Sequence, residues 1–146
     1  MIAVRPVIRH ILVPVDGSES ARHALEHAIG LAEAFGAELT LLEVIEDQGP
    51  LPTFDEKPPP GETREHWLSE ERFQPLADLL EQTEVPWTRR VERGYPAEVI
   101  CEVADKEEHD LVVMGSRGMS GVGRFLMGSV SDRVVHHAPC NVTVVK

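Results

Sequence analysis

Two kinds of hydrophobic spacing alternate along this chain of 146 residues. Short apolar runs, such as residues 8–15 and 38–45, are typical of strands that are covered on both faces. Between these runs, apolar residues recur every three or four positions, as they do on one face of a helix. The first such segment follows Ser18, a favoured helix cap, and stops at Gly36, a favoured residue just after a helix. The predicted apolar face of this helix consists of Ala21, Ala24, Leu25, Ala28, Leu31, Ala32 and Phe35.

The alternation continues to the end of the chain. A helical pattern covers residues 62–83, and Pro75 inside it predicts a kink or a break. Residues 46–61 contain five prolines and show no periodicity, which predicts a flexible loop within a single domain over residues 1–146. The other predicted elements are strands at 85–91, 110–114 and 141–146, a short helix that ends near Lys106, and a last helix over 129–137.

Strands that alternate with helices indicate an α/β protein, in which an open parallel five-stranded sheet carries helices on both faces. Ligands bind such three-layer sheets beyond the carboxyl ends of the strands, where the strand order reverses. The fourth predicted strand ends in the glycine-rich sequence MGSRGMSGVGRFLMGSVS at residues 114–131. Two residues separate Gly115 from Gly118, and nine separate Gly118 from Gly128-Ser129. We call residues 115–128 the glycine loop.

A glycine loop between a strand and a helix predicts a phosphate site. Glycine lets the backbone approach an anion closely, and the N–H groups and dipole at a helix start attract negative charge. The loop lacks the lysine of a Walker A motif, and its spacing is not that of the dinucleotide-binding pattern. A solvated surface loop is the simpler alternative.

The distribution of charge favours a small anionic ligand. The formal net charge is −11, yet residues 111–146 carry four basic residues and one acidic residue, against ten basic and twenty-four acidic residues before them. The acidic body argues against nucleic acid or an anionic membrane as partner, because both need a basic surface. No run approaches the roughly 20 apolar residues of a membrane helix. The amino-terminal residues lack the apolar core of a signal peptide, so we expect a cytoplasmic location. Cys101 and Cys140 have no metal-binding spacing and are expected to be buried thiols.

The chain resembles the universal stress protein family over nearly its whole length. The resemblance is carried by ILVPVDGSE at residues 11–19, DLVVMGSRG at 110–118, GSVS at 128–131 and CNVTVVK at 140–146. The glycine spacing is the one that marks the ATP-binding branch of that family. The resemblance implies a Rossmann-like fold of the adenine-nucleotide-binding type with strand order 3-2-1-4-5. It also implies a homodimer in which the strand at 141–146 pairs with its twin.

The resemblance further implies nucleotide contacts at matching positions. Asp16 is expected beside the ribose, although Asp-Gly-Ser is also a common turn, and Val44 is expected to contact adenine through its backbone. Ser129 has two expected roles, which can hold together: cap of the last helix, with Asp132 as its partner, and donor to a phosphate. Arg124 is a possible phosphate contact or a solvated side chain. The implied nucleotide-binding residues are Pro14, Val15, Asp16, Val44, Met114, Gly115, Ser116, Arg117, Gly118, Gly128, Ser129, Val130 and Ser131.

The predicted function is therefore binding of ATP by a stress-response protein, with Mg²⁺ carried by the nucleotide and no metal ligand from the protein. No catalytic residue is predicted, because the chain shows neither a Walker lysine nor an evident general base beside the glycine loop. Binding is expected to change conformation or the choice of an unknown protein partner, with at most weak ATP hydrolysis. The alternatives are a slow ATPase enzyme, a variant that binds cyclic AMP, and an interaction module that binds no nucleotide.

Overall fold

The computed structural model describes residues 7–46, 59–117 and 128–146. All strands in these ranges are parallel and lie in the order β3-β2-β1-β4-β5, which confirms the predicted three-layer fold. The predicted flexible loop at 46–61 falls mostly outside the described residues. The elements are β1 (His10–Pro14), α1 (Glu19–Phe35), β2 (Glu38–Ile45), α2 (Arg64–Glu81), β3 (Trp87–Arg93), α3 (Pro96–Lys106), β4 (Leu111–Gly115), α4 (Ser129–His137) and β5 (Asn141–Val145).

Helix α1 begins and ends at the predicted residues. Ser18 Oγ accepts a hydrogen bond from Ala21 N at 3.1 Å, and Gly36 takes the left-handed conformation with φ of 70°. The buried face also includes Ile29, which the prediction did not name. Phe35 is 43% exposed, so its predicted burial is wrong. It is the last residue of the helix, and the chain turns away at Gly36 to enter β2.

Helix α2 runs through Pro75 without interruption, so the predicted break does not occur. Proline removes one helical hydrogen bond and leaves the carbonyl four residues earlier without its partner. That carbonyl belongs to Glu71, and both Glu71 and Pro75 are exposed, so water can satisfy it. Neither this helix of 18 residues nor any other helix in the described ranges combines the length and apolarity of a membrane span.

The sheet separates two apolar clusters. On one face α1 and α2 pack against Ile11, Val13 and Leu41, and on the other α3 and α4 pack against Leu12 and Val112. Successive side chains of a strand point to opposite faces, so a strand covered on both sides must be apolar at every position. This explains the continuous apolar runs in the sequence.

Cys101 and Cys140 lie half-buried at the border of the second cluster. Burial raises the pKa of both thiols, and the nearby charge of Asp110 raises that of Cys140 further. A raised pKa keeps a thiol protonated and unreactive. Both residues are free thiols, and the burial expected for them from the sequence is only partial.

A polar network fixes α2 on the sheet. Ser69 Oγ donates to Glu43 Oε2 at 2.7 Å, and Arg89 Nη2 donates to Ser69 Oγ at 2.8 Å and lies 3.6 Å from the same Glu43 oxygen. Arg89 Nη1 donates to Glu70 Oε1 at 2.6 Å, and the guanidinium lies 4.0 Å above the centre of the Phe73 ring. Glu43 is only 7% exposed, so its carboxylate depends on these partners.

The two edge strands of the sheet differ in chemistry. On β3, Arg90 pairs with Glu92 at 2.8 Å and also with Glu107. On β5, the half-buried side chains include Val142 and Val144. Charged side chains on an edge strand discourage pairing with another strand, whereas an apolar edge invites it. The edge formed by β5 is therefore the more open of the two to strand addition.

Candidate functional site

The pairing of β1 with β4 stops short of the carboxyl edge of the sheet, and we call the place where the two strands part the switch crevice. The register joins only Ile11 with Leu111 and Leu12 with Val112 before the two strands part. The chain moves from β1 to β2 on one side and from β4 to β5 on the other, so the strand order reverses here. Parallel α/β sheets bind their ligands at such a point.

Pro14 gives a physical reason for the parting of the strands. Alternate residues of a parallel strand direct their N–H and C=O groups toward the same neighbour. Val15 N donates to Leu42 O of β2 at 2.8 Å, so Pro14 faces β4. Because proline has no N–H to donate, the hydrogen-bond ladder to β4 cannot continue at this residue.

Asp16 lies in the turn that follows β1. Its Oδ1 accepts a hydrogen bond from Ser18 N at 2.9 Å, and Gly17 between them has φ of 84°. One carboxylate oxygen of Asp16 therefore has the role in the turn that was predicted as the alternative to ligand binding. Among the described residues the other carboxylate oxygen has no hydrogen-bond partner, and the side chain is half-buried, so it remains available to a ligand.

Gly115 ends β4 directly against helix α1. A Cβ atom at this position would lie 2.3 Å from Ser20 Oγ and 2.7 Å from the Ser20 carbonyl carbon. Ser20 Oγ also accepts a hydrogen bond from Arg117 N at 3.2 Å, which ties the start of the glycine loop to α1. Sequence analysis missed Ser20. The available signal was a small polar residue in the first turn of the helix after β1.

Two serines close the base of the glycine loop. Gly128 N donates to Ser116 O at 2.7 Å. The hydroxyl of Ser131 is shared between Ser116 O at 3.2 Å and Gly128 O at 3.0 Å, and Ser131 is 2% exposed. Its hydroxyl therefore joins the two ends of the loop, a role that differs from the phosphate contact expected from the sequence.

Ser129 is the first residue of α4, and its predicted role as the cap of this helix is wrong. Gly128 is the N-cap residue, in an extended conformation, and no side chain caps the helix. Asp132 N completes the first turn by donating to Gly128 O at 3.0 Å. Ser129 is exposed, and the first N–H groups of a helix have no partner within it. This helix start therefore presents both a hydroxyl and free N–H groups.

Val44 presents its backbone toward the end of β1. Leu42 O faces β1, so Val44, two residues further along β2, directs its N–H and C=O to the same side, past the last residue of β1. Met114 lies at the end of β4 and is 5% exposed, whereas Val130 is half-buried at the start of α4. The predicted contacts Gly118 and Arg124 lie outside the described residues.

The fold and the switch crevice define a class: a doubly wound parallel α/β protein with a glycine loop and a helix start where the strand order reverses. The model of the Universal stress protein family matches residues 8–146, and the chain belongs to this family. The resemblance inferred from the sequence motifs is thereby confirmed.

Three similar proteins illustrate the relationship. A universal stress protein of Methanocaldococcus jannaschii is 37% identical over 144 residues, covering 94% of this chain and 82% of that protein. The structure of universal stress protein UspA from Lactobacillus plantarum has a TM-score of 0.70 and 31% identity, covering 99% of this chain and 100% of that chain. A universal stress protein in complex with cAMP has a TM-score of 0.70 and covers 96% of this chain and 98% of its own; at 23% identity it shows likeness of fold alone.

Proposed function

We propose that this universal stress protein binds an adenine nucleotide, foremost ATP, in the switch crevice. The observation that carries the proposal is the convergence of three features at one edge of the sheet. The first is the uncapped start of α4 at Ser129, the second is the glycine loop closed at its base by Ser131, and the third is the carboxylate of Asp16.

Each feature matches one part of a nucleotide. The N–H groups and hydroxyl at the start of α4 are donors for phosphate oxygens. The carboxylate oxygen of Asp16 that is not held by Ser18 can accept a ribose hydroxyl. The backbone of Val44, directed past the end of β1, supplies one donor and one acceptor for the edge of the base. Gly118 and Arg124 belong to the same glycine loop and are proposed as further phosphate contacts.

Mg²⁺ is proposed to arrive with the nucleotide. The described residues hold no group of three or more His, Cys, Asp or Glu side chains placed to bind a metal ion. Mg²⁺ commonly keeps several waters and binds through substrate phosphates. A triphosphate held at the start of α4 supplies such ligands itself.

The proposed outcome of binding is a switch in conformation or partner choice rather than rapid turnover. Hydrolysis of ATP needs a group that orients or deprotonates the attacking water near the terminal phosphate. Asp16 lies at the end of β1, where the proposal places the ribose, and one of its oxygens is held by Ser18 N. The proposal therefore gives the protein slow hydrolysis at most, in cytoplasmic stress response.

Glutamate at position 129 is expected to weaken nucleotide binding strongly without harming the fold. A carboxylate in the first turn of α4 interacts favourably with the helix dipole, by about 0.3–1 kcal/mol. The same carboxylate opposes the phosphates, so Mg-ATP affinity should fall by roughly 30-fold or more, about 2 kcal/mol. Calorimetric titration of Mg-ATP into nucleotide-free wild-type protein and Ser129→Glu measures this effect, and thermal unfolding should show no loss of stability.

Ser129→Gln is the matched control, since it has the same length and no charge. It should retain most of the affinity, losing only the hydroxyl contact of about 1 kcal/mol. Tight binding of Mg-ATP by Ser129→Glu would show that the start of α4 is not part of the nucleotide site. Phosphate release followed in the same samples tests the switch, because turnover above roughly 1 s⁻¹ approaches that of ordinary enzymes and would contradict it.

Cyclic AMP is the second candidate ligand, favoured by one observation. A universal stress protein of the same fold has been solved in complex with cAMP. Competition between ATP and cAMP in the same titrations distinguishes the two ligands. ATP is the ligand if it displaces cAMP at comparable concentration, and cAMP is the ligand if ATP fails to displace it.

We also propose a homodimer through the β5 edge, at residues 141–146. Ser116 N donates to Val145 O at 3.0 Å, so Val145 faces β4 and Val144 directs its N–H away from the sheet. Val144→Pro removes that outward donor and leaves the pairing with β4 intact. Light scattering should give twice the chain mass of 16.2 kDa for wild-type protein and for Val144→Thr, but the monomer mass for Val144→Pro. A dimeric, folded Val144→Pro would place the interface elsewhere.

A further inference from the structure

Arg72 of helix α2 lies against the Asp16 turn, although it belongs to none of the motifs that mark the family. A Cβ atom at Gly17 would lie 3.0 Å from Arg72 Cγ and 3.1 Å from Arg72 Cδ. The aliphatic part of the arginine therefore rests directly on the glycine backbone. With φ of 84°, position 17 already favours glycine, and the arginine occupies the space that a side chain would need.

The arginine stem is held in place by its neighbours. Arg72 lines a narrow groove that has no room for a water molecule. The other lining residues are Val15, Asp16 and Gly17 at the end of β1, Glu43 of β2, and Phe73 and Leu76 of α2. The arginine is half-buried there. The stem carbons of Arg72 therefore lie beside the turn that carries Asp16, at the end of β1, and the guanidinium is bonded to the last of them.

The guanidinium of Arg72 lacks the partners that other arginines of this face have. Arg89 binds Ser69 and Glu70 through its two terminal nitrogens. In the described ranges, no hydrogen bond or ion pair engages the Arg72 guanidinium. A guanidinium presents a planar fork of donors that matches carboxylate or phosphate oxygens. A guanidinium that is held beside a nucleotide site without a protein partner is suited to bind an anionic group of the ligand.

We propose that Arg72 binds a phosphate on the ribose 3′-oxygen of an adenine nucleotide. The inference rests on the proposed nucleotide site and extends it. The 5′-phosphates occupy the start of α4, and Asp16 accepts the 2′-hydroxyl, which leaves the 3′-oxygen for the cation next to Asp16. The preferred ligand is then an adenine nucleotide with an open 3′-phosphate, such as the 3′,5′-bisphosphate. The cyclic 3′,5′-ester has a single phosphate for both positions and serves as the comparison.

Titration with adenosine 5′-monophosphate, adenosine 3′,5′-bisphosphate and cyclic AMP tests this inference. Wild-type protein should bind the bisphosphate roughly 10-fold or more tightly than the monophosphate, as expected for one charge-assisted contact. In Arg72→Met, which keeps an unbranched stem over Gly17, this ratio should fall to about one while affinity for the monophosphate changes little. Arg90→Met on the edge strand β3 makes the same change in net charge and should leave the ratio unchanged.

The cyclic nucleotide distinguishes the two ligand forms. A loss of cAMP affinity in Arg72→Met identifies the cyclic ester as a ligand of the arginine, and a loss confined to the bisphosphate identifies the open 3′-phosphate. The inference is overturned if wild-type protein binds neither 3′-ester more tightly than the monophosphate. It is also overturned if Arg72→Met lowers the affinity for all three nucleotides equally, because Arg72 would then contribute only to packing. Failure of wild-type protein to bind ATP and the monophosphate would contradict the nucleotide site itself, and the assignment of Arg72 with it.

Discussion

Alanine at position 115 is expected to lower the free energy of unfolding by about 3 kcal/mol, near the upper end of the range for overpacking. The new Cβ would stand 2.3 Å from Ser20 Oγ, 2.7 Å from the Ser20 carbonyl carbon and 2.8 Å from its oxygen. The hydroxyl can rotate away, but the backbone atoms move only if α1 shifts from β4. Urea-induced unfolding of Gly115→Ala against wild-type protein measures the change.

Gly30→Ala is the matched control, because it places the same substitution inside α1 where the new Cβ has no neighbour within 4 Å apart from the adjacent backbone of its own helix. Alanine there should stabilise the protein by roughly 0.5–1 kcal/mol. Adding Ser20→Ala to Gly115→Ala should recover little of the lost free energy of unfolding, since the backbone atoms of residue 20 still clash with the new Cβ. A Gly115→Ala protein as stable as wild type would contradict the close packing of β4 on α1. Loss of nucleotide binding in this variant would report displacement of the glycine loop, not a lost ligand contact.

Methionine at position 89 is expected to destabilise the protein by about 3 kcal/mol or more, because it leaves a buried carboxylate without its cation. Glu43 is 7% exposed, and without Arg89 the hydroxyl of Ser69, at 2.7 Å, is the one donor left to it among the described residues. The substitution also removes the stacking of the guanidinium on Phe73. Thermal and urea unfolding of Arg89→Met, compared with wild type at the same pH, measure the loss.

The neighbouring Arg90 offers the control for this prediction. Its side chain is 37% exposed and pairs with Glu92 and Glu107 at the edge of the sheet, so Arg90→Met should change stability by about 1 kcal/mol or less. In the Arg89→Met background, Glu43→Gln should recover a large part of the loss, because a neutral amide can still accept from Ser69. Equal effects of Arg89→Met and Arg90→Met would show that the Glu43 network contributes no more than a surface pair.

Most of the fold follows from local chemistry that can be read along the chain. Ser18 and Gly36 mark the ends of α1 through their own backbone and side-chain preferences, and both occupy those positions in the structure. Pro14, which is unusual in a central strand, is the last residue of β1, where its missing N–H faces β4. The ends of α1 are local features that neighbouring residues suffice to predict, whereas the strand that Pro14 faces is known only from the order of the sheet.

The parts that could not be predicted depend on contacts between distant segments. Gly115 was predicted as a phosphate contact, which stays a prediction. The structural reason for glycine there is Ser20, which a Cβ would meet and which lies in another element, 95 positions earlier in the chain. Arg72 meets Gly17 only because α2 packs over the end of β1. The cap of α4 was misassigned to Ser129 because Gly128 has no side chain and gives no capping signal in the sequence. No spacing rule connects such residues before the sheet order is known.

The charged side chains of β3 also limit how copies of this protein can assemble. Arg90 and Glu92 occupy one edge of the sheet, so only the β5 edge is suited to receive another strand. When two copies join through β5 about a two-fold axis, each uses its single receptive edge and none is left to add a third. In the proposed dimer, the charged β3 edge would therefore favour a closed pair and oppose an open-ended fibre.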